Sequence, residues 1–300
     1  MSHAYAIYDV FTQTAFAGNP LAVVFDAEGL DDAAMGRIAR EFNLSETIFL
    51  MPPANPAHSC AARIFMPAGE LPFAGHPTVG GAIALSERDG GPMDRLMVIE
   101  EAIGPVRVAL HGGAVPYAEF DLPRLPEAQT PVLDTGAVAA ALGLAPSEIG
   151  FENHVISQWD AGVPYLCVPV ANREAIARAR FDEAAWLAHF DGFDPLDVLC
   201  PYLYCRQSVG HDSAFSVRMF GPHHGIAEDP ATGSAAAAFA GAIERFDGLA
   251  EGPNAWWIEQ GIDMGRPSRI RLEATGRNGT MDAARIGGHA VKVAEGRLLM

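Results

Sequence analysis

The stretch Glu228–Ala242, EDPATGSAAAAFAGA, constrains the fold more than any other part of the chain. Alanine has the highest intrinsic helix propensity, so the run from Gly233 to Arg245 is expected to be helical. Such a helix has almost no side-chain bulk on any face. It cannot hold two layers apart, but it can lie inside a sheet that curls around it. A second segment, Gly75–Leu85 (GHPTVGGAIAL), also starts at a glycine and carries Gly80, Gly81 and Ala82. Two narrow helices in one chain point to two sheet-wrapped units.

The surrounding residues supply the strands. Ala4–Phe11, Leu21–Phe25, Glu46–Met51, Ala61–Met66, Leu96–Glu100, Val106–Leu110 and Tyr117–Leu122 read as short strands, with a helix at Asp31–Phe42. Pro123–Pro131 reads as a linker. Beyond it the order loosely repeats: a helix at Asp134–Leu142, strands at His154–Gln158 and Tyr165–Val170, and helical segments over Arg173–Phe190. Strands follow at Val198–Cys205 and Phe215–Phe220, and after the alanine helix at Trp256–Gln260, Ile270–Ala274 and Ala290–Val293. The alternation of single strands and crossover helices that builds a doubly wound parallel sheet is missing. The expected class is therefore α+β, with two similar domains, each a curled, barrel-like sheet around a central helix. A length of 300 residues suits two such units.

Charge narrows the partners. A formal net charge of −17 argues against nucleic acid and anionic membranes, which need a basic footprint. The longest near-apolar run, Ala235–Ile243, is too short to span a bilayer. The four cysteines form no C-x-x-C pair, and Cys60 and Cys167 sit in apolar, strand-like runs. No N-terminal basic-then-apolar pattern precedes the first strand. A cytoplasmic location is expected.

Both small-residue helices begin at polar loops, Gly75-His76-Pro77-Thr78 and Asp229-Pro230-Ala231-Thr232-Gly233-Ser234. A helix start exposes unpaired N–H groups and the positive end of the macrodipole, and glycine leaves room for an anion there. Two such ends across a cleft would hold a small carboxylate. The plainer alternative makes Thr232 or Ser234 a simple N-cap and His76 an ordinary loop histidine. Glu46 opens a strand that is apolar on both faces, and it shares a face with Ile48 and Leu50. A carboxylate at that position is expected to have a raised pKa, which suits a general acid/base; the alternative is a solvated strand-start glutamate. Glu228 and Asp229 stand between site and solvated-loop readings. No metal site is expected: the ten histidines are scattered, and the adjacent pair His223-His224 cannot easily turn both rings to one ion. Neither a nucleotide-phosphate loop nor a G-x-S-x-G elbow is present.

Three long blocks, RIFMPAGELPFAGHPTVGGA (Arg63–Ala82), NLSETIFL (Asn43–Leu50) and GIAEDPATGSAAAA (Gly225–Ala238), resemble the signature segments of the PhzF-like phenazine-biosynthesis family. The opening YDVFTQTAFAGNPLAVV and the tail from MGRPSRIRL onward are similar too, so the resemblance runs nearly end to end. That family is similar to the diaminopimelate epimerase superfamily. The resemblance implies two epimerase-like domains, at residues 1–128 and 129–283, with a strand at about 284–300 that can return to the first. It implies a cofactor-independent isomerase, similar to trans-2,3-dihydro-3-hydroxyanthranilate isomerase, working in the interdomain cleft as a homodimer. Glu46 would move the proton, His76 and Asp229 would assist it, and Gly75, Gly233, Thr232 and Ser234 would hold a small carboxylate substrate. His223 and His224 would line the cleft and tune substrate choice. The epimerase relatives use paired cysteines, which the corresponding loops here lack. The alternatives are a non-catalytic small-acid-binding or interaction protein of the same fold, or a cysteine-independent racemase.

Overall fold

The computed structural model describes residues 2–91, 93–131, 133–190, 193 and 198–299. The first half contains β1 (Ser2–Val10), β2 (Asn19–Val24), α1 (Asp32–Phe42), β3 (Glu46–Met51), β4 (Cys60–Phe65), β5 (Glu70–Leu71), α2 (Gly75–Arg88), β6 (Arg95–Glu101), β7 (Gly104–His111) and β8 (Tyr117–Asp121). The second contains β9 (Glu127–Gln129), α3 (Thr135–Leu142), β10 (Ser157–Asp160), β11 (Pro164–Pro169), α4 (Arg173–Arg178), α5 (Glu183–Leu187), β12 (Cys200–Cys205), β13 (Phe215–Gly221) and β14 (Ile226–Asp229). It ends with α6 (Gly233–Asp247), β15 (Gly252–Gln260), β16 (Ser268–Arg277) and β17 (Thr280–Leu299). Among the described residues no helix is long and apolar enough to cross a membrane.

The α+β class holds. Neighbouring pairs run β17–β1–β2–β3–β4–β6–β7–β8 and back to β17, so these eight strands close into a barrel. In the second half β9–β10–β11–β12–β13–β15–β16–β17 forms a continuous sheet. The pair directions repeat. β1–β2, β2–β3, β3–β4, β4–β6, β6–β7 and β7–β8 are antiparallel, parallel, antiparallel, parallel, antiparallel and antiparallel. The series from β10–β11 through β16–β17 runs in the same order of directions. The loose repeat of the sequence is therefore a register-level repeat of the fold.

α2 lies within the first barrel and α6 within the second sheet. Ala235, Ala236, Ala237, Ala238 and Ala240 are all buried, as are Ala82 and Ala84. The helices are as narrow as their surroundings require. A Cβ on Gly80 would meet Leu21 Cδ2 at 2.5 Å, and one on Gly241 would run into the Trp159 ring. β3 is apolar on both faces because both are covered: Ile48 and Leu50 join the core around α2, and Phe49 packs with Met35 and Ile38 of α1.

Three expectations need correction. The stretch Pro123–Pro131 is not wholly a linker, since Glu127–Gln129 pairs with β10. The strand expected at His154–Gln158 begins at Ser157; His154 instead bridges Phe151 and is held by Tyr204 and Asp247. The short strand Ala290–Val293 is the middle of a twenty-residue strand. Gly287 and Gly288 hide it, because glycine is depleted in strands. They are needed here because Tyr117 and Phe11 occupy the space their side chains would fill. β17 serves β16, β8 and β1 in turn along its length.

Candidate active site

Four helices at the periphery start with a side-chain cap: Asp31 on Ala34 N, Asp134 on Ala137 N, Asn172 on Ala175 N and Asp182 on Ala185 N. The two central helices do not. Ala74 precedes α2 and Thr232 precedes α6, and neither side chain bonds to the helix that follows. A cap is worth about 0.5–2 kcal/mol, so two uncapped ends in the molecule's interior leave N–H groups in want of an acceptor. The simple N-cap reading of Thr232 and Ser234 is thereby set aside.

The two ends meet. A Cβ on Gly75 would lie 2.9 Å from Gly233 Cα, and one on Gly233 would lie 3.0 Å from Gly75 Cα. Glycine at both positions is thus required by backbone packing, a role the sequence did not reveal beside that of leaving room for an anion.

Around this contact the chain assembles polar side chains from both halves. Glu46 stands at the start of β3 and His76 in the first turn of α2; Glu46 Oε2 lies 2.9 Å from His76 Nδ1, with side-chain exposures of 12% and 3%. Asp229, at the end of β14, is buried. Its Oδ1 accepts from Asn19 Nδ2 at 2.8 Å and Ser45 Oγ at 3.0 Å, and its Oδ2 accepts from Thr232 Oγ1 at 2.6 Å. Gln260 braces the loop: its Nε2 donates to the Asp229 carbonyl at 2.8 Å and to Thr232 Oγ1 at 2.9 Å, and its Oε1 accepts from Thr232 N. Ser234 Oγ and Tyr165 Oη share a hydrogen bond of 2.8 Å.

Burial pushes the Asp229 carboxyl up to about 6, and the charge of Glu46 adds to the rise against the opposing pull of His76, Thr232 and Ser45. For His76 burial works against the imidazolium, but the Glu46 carboxylate beside it and Asp229 beyond outweigh that and raise its pKa. The three side chains thus lie close together, with the carboxyl groups favouring the charged form of the histidine.

A cavity of about 340 Å³ opens onto these residues, lined by Glu46, Asp229, Thr232, Ser234, Tyr165 and Cys200 among others. Of the residues singled out in the sequence, Glu46, Asp229, Thr232 and Ser234 face it directly. His76, Gly75 and Gly233 stand behind them. His224 lines the cavity and His223 does not. Glu228 is outside the group, held in a double hydrogen bond by Arg218 at 2.7 and 2.8 Å. Asn19, Ser45, Tyr165, Cys200 and Gln260 were missed. Asn19-Pro20 reads locally as a turn, and nothing local links Asn19 to a partner 210 positions away. Burial and the nearby Asp229 charge push the Cys200 thiol up to about 12.

The arrangement offers a carboxylate placed for proton transfer, a histidine beside it, and two helix starts without side-chain caps behind the cavity. Comparison with known proteins agrees. A sequence model of phenazine biosynthesis-like proteins (PhzC-PhzF) matches residues 8–296. An uncharacterized isomerase of Mesorhizobium japonicum is 58% identical over 298 residues, covering 99% of this chain and 98% of that protein. The trans-2,3-dihydro-3-hydroxyanthranilate isomerase of Pseudomonas fluorescens is 33% identical over 300 residues, covering 99% and 100%. The crystal structure of a PhzF-family phenazine biosynthesis protein from Bacillus anthracis superimposes with a TM-score of 0.89 at 22% identity, over 100% of both chains.

Proposed function

This chain belongs to the phenazine biosynthesis-like PhzF family and is an isomerase, and from that premise we propose that it shifts a proton on a small unsaturated or cyclic carboxylic acid. The observation that carries the reading is the meeting of two uncapped helix starts beside the Glu46–His76 pair. The substrate carboxylate lies in the cavity in front of the two helix starts, where two macrodipoles add their positive ends. Thr232 and Ser234 line its seat, and Tyr165 holds the Ser234 hydroxyl in place.

Glu46 removes a proton from a carbon conjugated with that carboxyl group. The bonding pair moves into the conjugated system, and the helix ends stabilise the charge that develops toward the carboxyl oxygens. Glu46 then returns the proton to a different carbon, so one C–H bond breaks, another forms and the double bond moves. No electron acceptor is needed. His76, with Nδ1 2.9 Å from Glu46 Oε2, stands beside the acid and orients it. Asp229 keeps His76 charged and is itself held by three donors, which fixes its orientation. By its likeness to the Pseudomonas fluorescens isomerase, trans-2,3-dihydro-3-hydroxyanthranilate is the first substrate to try.

Turnover in heavy water, followed by NMR over a set of cyclic acids that includes this compound, tests the proposal. Deuterium at one substrate carbon, or transfer of the substrate's own proton between two carbons, is the expected result. Glu46→Gln loses turnover while its circular dichroism and melting stay those of the wild type; an unchanged rate would remove Glu46 from the mechanism. The same reading divides the units near residue 128, returns the strand from about 284 to the first, and makes the protein a cytoplasmic homodimer. Sedimentation equilibrium reports the last point, and a monomer would overturn it.

A further inference from the structure

Cys200, at the first position of β12, meets the adjacent pair His223-His224 across the wall of the cavity. Its Sγ lies 3.6 Å from His223 Nε2 and 3.5 Å from His224 Nδ1. The three atoms all lie within 4.8 Å of one another. Neighbouring histidines do not easily turn both rings to one ion, but here one ring presents Nε2 and the other Nδ1 to the same sulfur. Their ring centroids are 4.5 Å apart at an interplanar angle of 69°.

The separations fit a tetrahedral metal. With Zn–S of about 2.3 Å and Zn–N of about 2.0–2.1 Å, a tetrahedral angle places sulfur and nitrogen about 3.6 Å apart. A thiol with two imidazoles is a soft to borderline donor set, suited to zinc and its neighbours and not to magnesium or calcium. Three protein ligands leave one position open. We propose that Cys200, His223 and His224 form a binding site for a divalent transition metal such as zinc on the wall of the substrate cavity. On binding, the Cys200 S–H bond breaks, sulfur keeps the electron pair as a ligand, and the proton leaves to solvent. His223 Nε2, which otherwise faces the Val198 carbonyl at 3.2 Å, turns its lone pair to the ion. Its proton then belongs on Nδ1, a buried atom that makes no hydrogen bond.

A second cluster shows what a site already filled by a cation looks like. Glu152, His154 and Asp247 also converge, but the Arg206 guanidinium sits among them, 3.3 Å from Glu152 Oε2 and in contact with Asp247. Because Cys200 and His224 line the cavity that holds Glu46 and Asp229, a metal here brings a positive charge and an open coordination position into the space for an acidic ligand.

Cobalt(II) added to the reduced, metal-free full-length protein reads the site without reference to any substrate. The expected result is one equivalent bound, with a sulfur-to-cobalt charge-transfer band in the near ultraviolet and the intense visible bands of four-coordinate cobalt. Cys200→Ser removes the charge-transfer band. His223→Gln and His224→Gln each weaken binding at least as much as the roughly 10–100-fold that losing a supporting partner costs a metal site. The absence of the band in folded wild type at saturating cobalt overturns the proposal, as does a band of full intensity in Cys200→Ser. If Cys200→Ser does not fold, the double variant His223→Gln/His224→Gln decides, and tight cobalt binding retained there overturns it equally. Failure of this test leaves the isomerase reading standing, since no step of that reaction uses the ion.

Discussion

The two halves repeat each other in the order and direction of their paired strands, yet they differ at nearly every position that bears on chemistry. In the parallel pair β2–β3 Leu21 faces Glu46, and in the matching pair β11–β12 Tyr165 faces Cys200. Glu46 and Cys200 are thus the same position in two copies. Leu71 and Asp229, each four residues before a central helix, pair with Ile64 and Met219. Gly75 and Gly233 then correspond, as do His76 and Ser234, Ala74 and Thr232, and Glu101 and Gln260. Each half gives one carboxylate, but from different places in the repeat. A doubled scaffold with both acids in both halves would put four buried carboxylates together, and like charges at such range prevent one another's ionisation. The difference between halves is what makes a site with defined protonation.

The largest expected effect comes from removing the two acids in turn. Glu46→Gln is expected to lower kcat by about 10²–10⁴-fold, the usual contribution of a positioned acid/base. Asp229→Asn is expected to cost less, about 10–100-fold, because it acts on charge and orientation and not on the substrate carbon. The pH profile separates them. The raised Asp229 carboxyl is protonated below about 6, so wild-type kcat/KM falls as pH drops through that value. Asp229→Asn has no such acid limb; a limb that persists unchanged would assign it to another group.

The glycines are where the halves are truly alike, and matched substitutions test it. Helix propensity alone says that Gly→Ala stabilises by about 1 kcal/mol. The contact between the two helix starts says the reverse, since each new Cβ would lie within 3.0 Å of the other glycine's Cα. Gly75→Ala and Gly233→Ala are each expected to cost about 1–3 kcal/mol in denaturant unfolding. Stabilisation by either would mean that the helix starts do not touch.

Glu101 and Gln260 stand under the two helix starts as acid and amide. Burial pushes the Glu101 carboxyl up to about 8, the hydrogen bond from Thr78 pulling the other way. Thr78 Oγ1 lies 2.7 Å from Glu101 Oε1 and 2.8 Å from the Ala74 carbonyl, and one hydroxyl proton cannot serve both. The folded pKa is above the unfolded value, so the stabilisation is fully present below about 4.5 and is lost as pH rises through about 8. Glu101→Gln, which copies the second half, is expected to remove that slope and gain on the order of 1–2 kcal/mol near pH 8. Equal melting of the two proteins from pH 5 to pH 8 would refute it.

How much of this was legible in the sequence follows the range of each interaction. α2 and α6 could be read because alanine and glycine state their environment locally. Glu46, His76, Asp229, Thr232 and Ser234 could be named because helix starts and a strand start are local features too. Asn19 and Gln260 could not, since their partners are set by sheet pairing across the whole chain. β9 hid in a proline-rich stretch because a three-residue strand has too little pattern, and Cys200 passed as a small hydrophobe because that is the ordinary role of a cysteine in a strand.

The smallest expected effect concerns Thr232, whose counterpart is Ala74. At a capped helix such as α1, losing the cap residue by Asp31→Ala should cost about 1 kcal/mol. Thr232→Val acts elsewhere, because its hydroxyl bonds to Asp229 and not to α6. Valine keeps the shape, and Gln260 Nε2 retains its bond to the Asp229 carbonyl. What changes is the Asp229 carboxylate, which loses one of three donors that favour its charged form. Its pKa rises further, so the acid limb of kcat/KM should move to higher pH by roughly half to one unit, and the buried Oδ2 left without its donor should cost about 1–3 kcal/mol. A limb that stays in place would mean that the Thr232 hydroxyl serves α6 and not Asp229, and that the two central helices are built like the peripheral ones.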